Sequence, residues 1–175
     1  MHVIWIDAHP DIHTYKSTAS GNKHGTPLSV CMGLEKMHWV SRMSLKNLPF
    51  ANLTYVGIRD IDDFEGKVIR EKKIRHLSAS ECVEFIKKLD RPIHISFDVD
   101  ALDPTLVSST GTRVPNGMFP QEVESIIEAA LHLNKLVSLD IVEFNEKLGD
   151  PVESMKHIRE VFKKAVTRDS HKAHI

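Results

Sequence analysis

Hydrophobic residues are grouped along this chain in two alternating patterns. A short unbroken apolar run with β-branched residues opens the chain at Val3–Ile6, and stretches dominated by apolar residues but broken by polar ones recur at Leu53–Ile58, Ile74–Leu77, Ile93–Phe97 and Leu136–Val142, each reading as a strand. Such runs predict strands buried on both faces. Between them the apolar positions take helical spacing. Pro27 opens a predicted helix over Leu28–Leu34, with proline in the tolerated first turn. A helix from about Phe64 to Lys72 has Asp62 or Asp63 available as N-cap. Ser78-Ala79-Ser80-Glu81 has the form of a capping box ahead of a helix over Cys82–Leu89. Pro120 starts a helix to about Leu133, with Val123, Ile126, Ile127, Ala130 and Leu131 on one side. Asp150-Pro151-Val152-Glu153 starts the last helix, which runs to about Thr167. Met37 to Ala51 reads as irregular, and the polar tail from Arg168 as frayed.

Strands that alternate with helices imply right-handed crossovers. The fold class is therefore α/β: a three-layer αβα arrangement around a mostly parallel sheet of about five strands, in a single domain. In such sheets, ligands bind beyond the carboxyl ends of the strands. The acidic residues gather there. Asp7, His9 and Asp11 follow the first strand, Asp60 and Asp62 the second, Asp98 and Asp100 the fourth, and Glu143 the fifth. This agreement was not built into the strand assignments, and it argues for one site.

Composition narrows the partners. At 175 residues the chain can bury a real core, and 41% hydrophobic with 27% charged residues is ordinary for a globular protein. Lysine plus arginine total 23 against 24 acids, so no global field favours nucleic acid or a membrane surface. The apolar runs are too short to span a bilayer, and Met1-His2-Val3 does not open a signal peptide. Cys31 and Cys82 lack zinc-finger or CxxC spacing and are expected as reduced thiols, which suits a cytoplasmic location. His2, His38, His76, His132, His157, His171 and His174 are read as surface or packing histidines.

Candidate chemistry centres on Asp7-x-His9-x-Asp11. If extended geometry continues past the strand, alternation puts the three side chains on one face. Two carboxylates and an imidazole aimed at one spot call for a cation, and a divalent metal is the simplest. A solvated loop of polar residues is the plain alternative for this stretch alone. Asp98-x-Asp100 repeats the design and favours metal. Asp103-Pro104 reads as a turn or cap. Four carboxylates with one imidazole suit Mn²⁺ or Mg²⁺ better than structural zinc, and more than four ligands suggest two ions. Two ions can lower the pKa of a water between them, so hydrolysis is the natural reaction class. No GxSxG elbow, P-loop or GxGxxG is present.

The segments DAHPDIH, SGNKHGTPLS, GIRDID, SFDVDALDP, STGT and LDIVEFN, in this order, resemble those of the ureohydrolases. SGNxHGxPLS resembles arginase rather than agmatinase. The likeness runs from Val3 to about Ala165. It implies a site in which two Mn²⁺ ions hold a hydroxide that attacks the guanidinium carbon of L-arginine, giving ornithine and urea. On that resemblance Asp7 and Asp98 bridge the ions, His9 and Asp100 bind one, and Asp11 binds the other. His24 shuttles protons to the leaving amine and Glu143 grips the guanidinium group. Ser20, Asn22 and Asp62 bind the amino-acid head, and Thr112 forms part of the hydrogen-bonded wall. His13 stands where arginases usually carry an asparagine that contacts the substrate carboxylate.

Other positions depart from the family. A GGDHS-like motif, which carries the family's first metal histidine, is absent, and Arg113 follows Gly111-Thr112 where proline is common. The sequence therefore predicts an arginase-like fold lacking its first two or three strands. Leu136–Val142 then becomes an exposed edge, prone to self-association, and a homo-oligomer is expected. Three readings stay open: a Mn²⁺-dependent arginase-type hydrolase, a catalytically impaired relative that binds metal or a partner subunit in a regulatory role, and a hydrolase of another guanidino compound.

Overall fold

The computed structural model describes residues 1–37, 40, 42–43 and 45–165. Five parallel strands form its sheet: β1 (His2–Ile6), β2 (Leu53–Val56), β3 (Arg75–Leu77), β4 (Ile93–Asp98) and β5 (Leu136–Val142), in the order β3-β2-β1-β4-β5. Among the described residues, five α-helices accompany it: α1 (Pro27–Cys31), α2 (Asp63–Lys72), α3 (Ala79–Lys88), α4 (Pro120–His132) and α5 (Pro151–Glu160). Among the described residues no helix is long and apolar enough to cross a membrane.

Strand alternation builds a core on each face of the sheet. On one face Ile4 and Ile6 of β1 join Ile93, Ile95 and Phe97 of β4 against Cys82 and Ile86 of α3, Val123, Ile126 and Ile127 of α4, and Ile158 of α5. On the other, Val3 joins Leu53 and Tyr55 of β2 against Leu28 of α1 and Val68 of α2. This is the expected three-layer α/β arrangement. Each fully buried Ile or Phe of this kind contributes on the order of 2 kcal/mol by leaving water.

Helix boundaries follow local chemistry. Asp62 caps α2 by accepting from the Glu65 N–H, and Ser78 with Glu81 forms the expected capping box of α3. Asp150 caps α5, with Pro151 next. At the far end of α3, the Lys135 ammonium donates to the Ile86 and Lys87 carbonyls, where a cation suits the helix dipole.

Some expectations needed correction. α1 stops at Cys31 rather than Leu34, because the chain turns at Gly33 with φ +76°. β2 ends at Val56, because Gly57 follows with φ +87°. A Cβ on Gly57 would lie 2.8 Å from Met118 Sδ, so glycine is required there. α5 is bounded at Glu160 and helix resumes over residues 163–165, the last described, while Thr167 and the tail from Arg168 lie outside the described residues, as do His38, His171 and His174. His2 is a packing histidine, bonded to Thr54 Oγ1 at 2.9 Å. Cys31 and Cys82 are free thiols. β5 is a sheet edge, with Val137 60% and Ile141 47% exposed.

Candidate metal centre and substrate cavity

The centre forms where β1 and β4, side by side in mid-sheet, end together. Asp7 follows β1 and is 2% exposed. Its Oδ1 accepts the His9 N–H at 2.7 Å. Asp98 closes β4, and its Oδ1 accepts the Asp100 N–H at 2.9 Å. Asp100 in turn accepts the Ala8 N–H at 3.1 Å, which ties the two strand ends together. The His9 ring Nδ1 lies 3.1 Å from Asp100 and 3.5 Å from Asp7. Ligand atoms of Asp7, His9 and Asp100 all lie within 4.8 Å of one another.

Two details differ from the alternation predicted for these motifs. β1 stops at Ile6, and Asp11 adopts φ +50°, so Asp7, His9 and Asp11 do not share a continuing strand face. A turn, not the pleat, brings Asp11 to the cavity. Likewise Asp100 sits in a 3₁₀ turn, Val99–Ala101, and not on the face of β4. After each strand a backbone N–H folds back onto the first carboxylate, that of His9 onto Asp7 and that of Asp100 onto Asp98.

Arg59 holds the second of these turns. Its guanidinium donates to the carbonyls of Asp100 at 2.9 Å, Ala101 at 3.1 Å, Val114 at 2.7 Å, Pro115 at 3.1 Å and Gly57 at 3.2 Å. Asp103 behaves as the expected cap, accepting from Thr105 and Gly117.

Above the centre lies a cavity of about 290 Å³. His9, Asp11, His13, Ser20, Asn22, His24, Asp62, Asp98, Asp100, Thr112 and Glu143 line it, with Asp7 buried beneath. Ser20, Asn22 and His24 are exposed on the rim, and the His13 N–H to Gly25 O bond fastens their loop. Glu143 turns in from the end of β5 with φ +64°, a conformation rarely held by a non-glycine residue. The loop bearing Thr112 is pinned by Ser154 Oγ, which accepts the N–H groups of Ser108 and Ser109.

Asp60 and Glu65 also line the cavity. Glu65 and Arg59 escape a reading of the sequence for ligand motifs. The spacing Asp62-x-x-Glu65, an acid at N3 of a capped helix, is the one signal that marks Glu65. Glu65 accepts the Ile12 N–H at 3.4 Å, while the His13 Nε2 lies 2.9 Å from Asp62 and 3.9 Å from Glu65.

Electrostatics set the character of the centre. Burial, reinforced by neighbouring carboxylates, pushes Asp7 up to about 7, Asp11 to about 9 and Asp98 to about 10. For His9, burial acts downward, but the carboxylates of Asp100 and Asp7 together outweigh it and raise the imidazole to about 10. The imidazolium therefore fills a cation's role among acids that cannot all ionise alone. His9 Nε2 is buried without a hydrogen bond, its nearest acid being Asp60 at 3.7 Å. The oxygen-rich donors and this orphaned nitrogen fit a divalent cation.

Metal binding should therefore depend on pH in a defined direction. Each raised acid stabilises the fold below its unfolded value of 3.8, and that contribution is lost as pH rises through its folded value. His9 acts in the same direction between 6.5 and about 10. The metal-free chain weakens as pH rises through this window, whereas a cation favours the deprotonated ligands. Melting temperatures with chelator and with added Mn²⁺ are expected to diverge more at about pH 9 than at about pH 6. An equal gap at both would overturn the assignment.

The chain can be placed among known proteins. A family model described as the arginase family matches residues 1–165. The arginase of Glaciozyma antarctica is 39% identical over 168 residues, covering 84% of this chain and 48% of that protein. The arginase of Entamoeba histolytica is 38% identical over 161 residues, covering 86% of this chain and 54% of its own length. The crystal structure of the Entamoeba histolytica arginase in complex with L-ornithine superposes with a TM-score of 0.82 at 36% identity, covering 92% of this chain and 59% of that one. The native arginase structure from Bacillus caldovelox gives a TM-score of 0.82 at 27% identity, covering 92% and 58%. The chain spans about half the length of the curated relatives it matches. With fold, cavity and family match in agreement, the chain belongs to the arginase family.

Proposed function

We propose that this chain carries out Mn²⁺-dependent hydrolysis of the guanidinium group of L-arginine, giving L-ornithine and urea. One observation carries the reading. Seven carboxylates line the cavity, and no lysine or arginine is among its described lining residues. Such a lining favours cationic ligands: metal ions at the base and a guanidinium above them. The L-ornithine bound to the Entamoeba histolytica arginase supports the choice of amino acid.

Asp7, His9, Asp11, Asp98 and Asp100 would hold the cations. When bound, these supply Lewis acidity and a water of lowered pKa. The chain's residues do the rest. Glu143 offers a carboxylate to the guanidinium N–H groups, a charge-assisted pairing that can engage two of them. Ser20 and Asn22 present donors to the substrate carboxylate. Thr112 adds a hydroxyl to the wall. Hydrolysis adds one water across the bond from the guanidinium carbon to the side-chain nitrogen: the oxygen stays on carbon in urea, that bond breaks, and the water's two protons are made good on the departing nitrogen through the cavity's carboxylates and His24. His24, exposed on the rim, delivers a proton to the departing amine and exchanges it with solvent.

Urea release from L-arginine, measured with and without added Mn²⁺, tests the proposal, and Mn²⁺-dependent urea is the expected result. No urea from a chain shown by elemental analysis to hold metal would overturn the catalytic reading.

The β5 edge favours a second reading, in which the chain pairs with a partner subunit. Exposed Val137 and Ile141 flank a row of unpaired backbone groups on that strand. With no other protein present, self-association is the expected form, and light scattering after size exclusion should return a mass above 19.8 kDa. A stable monomer would count against a pairing edge.

A further inference from the structure

We infer that His13 is a specificity-determining residue: its ring sits on Asp62 and beside Glu65 at one end of the cavity, so the α-ammonium of a guanidino amino acid adds little to recognition. The inference rests on the hydrolase reading and sharpens its substrate class to ω-guanidino carboxylic acids, with or without an α-ammonium.

Asp62 and Glu65 are the acids in question. Both oxygens of Asp62 are engaged, Oδ1 by the Glu65 N–H at the start of α2 and Oδ2 by His13 Nε2 at 2.9 Å. Glu65 is buried to 8% side-chain exposure, and its Oε1 takes the Ile12 N–H at 3.4 Å with His13 Nε2 3.9 Å away. At 2.9 Å the Nε2 edge of the ring fills the donor position on that Asp62 oxygen. An arriving ammonium would have to displace that donor, and so exchanges one interaction for another instead of adding one.

Three contacts hold His13 there. The imidazole stacks on Phe64 with centroids 5.3 Å apart and planes 14° apart. Its Nδ1 lies 3.0 Å from Ser17 Oγ. Its own N–H donates to Gly25 O at 3.0 Å. Phe64 and both acids belong to the first turn of α2 and its cap, so ring, stacking partner and acids move as one body. The substrate's carboxylate end faces a different set of groups: Ser20 and Asn22 are exposed on the rim and have hydroxyl and amide donors to offer.

The test compares L-arginine with 5-guanidinopentanoate, the same molecule without its α-ammonium, in the Mn²⁺-loaded protein. Urea release gives kcat/KM, and calorimetry compares binding of L-ornithine with 5-aminopentanoate. For the native chain the two substrates should agree within about threefold. His13→Asn, too short to reach Asp62, should favour L-arginine by about tenfold or more, the change expected when one ionic hydrogen bond of ~1.4 kcal/mol is restored. His13→Gln, which keeps a donor of similar reach, should retain the native ratio. A native preference for L-arginine of about a hundredfold, ~2.7 kcal/mol, would overturn the inference and leave the hydrolase reading intact. So would a His13→Asn variant that slows both substrates equally. If neither substrate is cleaved and neither product binds, the hydrolase reading and this inference fall together.

Discussion

Asp98→Asn is expected to lower urea release by about a thousandfold, more than the ten- to hundredfold typical of residues behind the ligands, and at the same time to stabilise the metal-free chain. Asp98 lies in the acidic centre, where burial and the charges of Asp7 and Asp100 oppose its ionisation. An asparagine keeps the Oδ1 that accepts the Asp100 N–H, so the local turn survives. What is lost is an acid that burial and its neighbours keep from ionising unless a cation joins it. A gain of about 1 kcal/mol corresponds to ~2–4 °C in a protein of this size. Steady-state urea assays and calorimetry in chelator would measure the two effects on one preparation. A lower melting temperature for the metal-free variant would show that Asp98 is structural and not held in place for a cation.

Arg59→Ala should have the largest effect on stability. Its guanidinium satisfies five carbonyls on three segments, and alanine leaves them without that donor at the base of the site. Loss of a half-buried charged donor of this kind costs about 3 kcal/mol. The Asp98–Ala101 turn loosens with it, so Mn²⁺ affinity should fall about ten- to hundredfold. Arg59→Lys should recover little, because a point-like ammonium cannot reach five acceptors in a plane. Denaturant midpoints and metal titrations check both effects. An alanine variant with native metal affinity would remove Arg59 from the positioning role.

Much of the architecture could be read from residue pattern alone. The five strand runs and the capped helix starts at Asp62, Ser78 and Asp150 match the structure to within a residue or two, because apolar period and capping chemistry are local properties. The convergence of acids beyond the strand ends was legible for the same reason, since parallel topology fixes which ends of the strands meet. The turn geometry at Asp11 and Asp100 was not. It depends on N–H groups closing onto carboxylates, with Asp11 in left-handed φ, which no spacing rule specifies. Nor was the grip of Arg59, whose acceptors are backbone carbonyls up to 56 positions away. The roles of His24, Glu143 and Thr112 rest on resemblance together with their place around the cavity; no pairwise contact argues for them.

The central pairing of β1 with β4 has a kinetic consequence. The bond from Ala8 to Asp100 spans 92 positions, so the two halves of the metal centre stay apart until a large loop has closed. High contact order of this kind slows folding. The loop-closure cost comes first, and the acids then converge against their own repulsion. A divalent cation rewards only the closed arrangement, so its concentration shifts the folding equilibrium by mass action. Supply of such a cation during refolding would thus govern the yield of native chain as well as the later loading of a finished site.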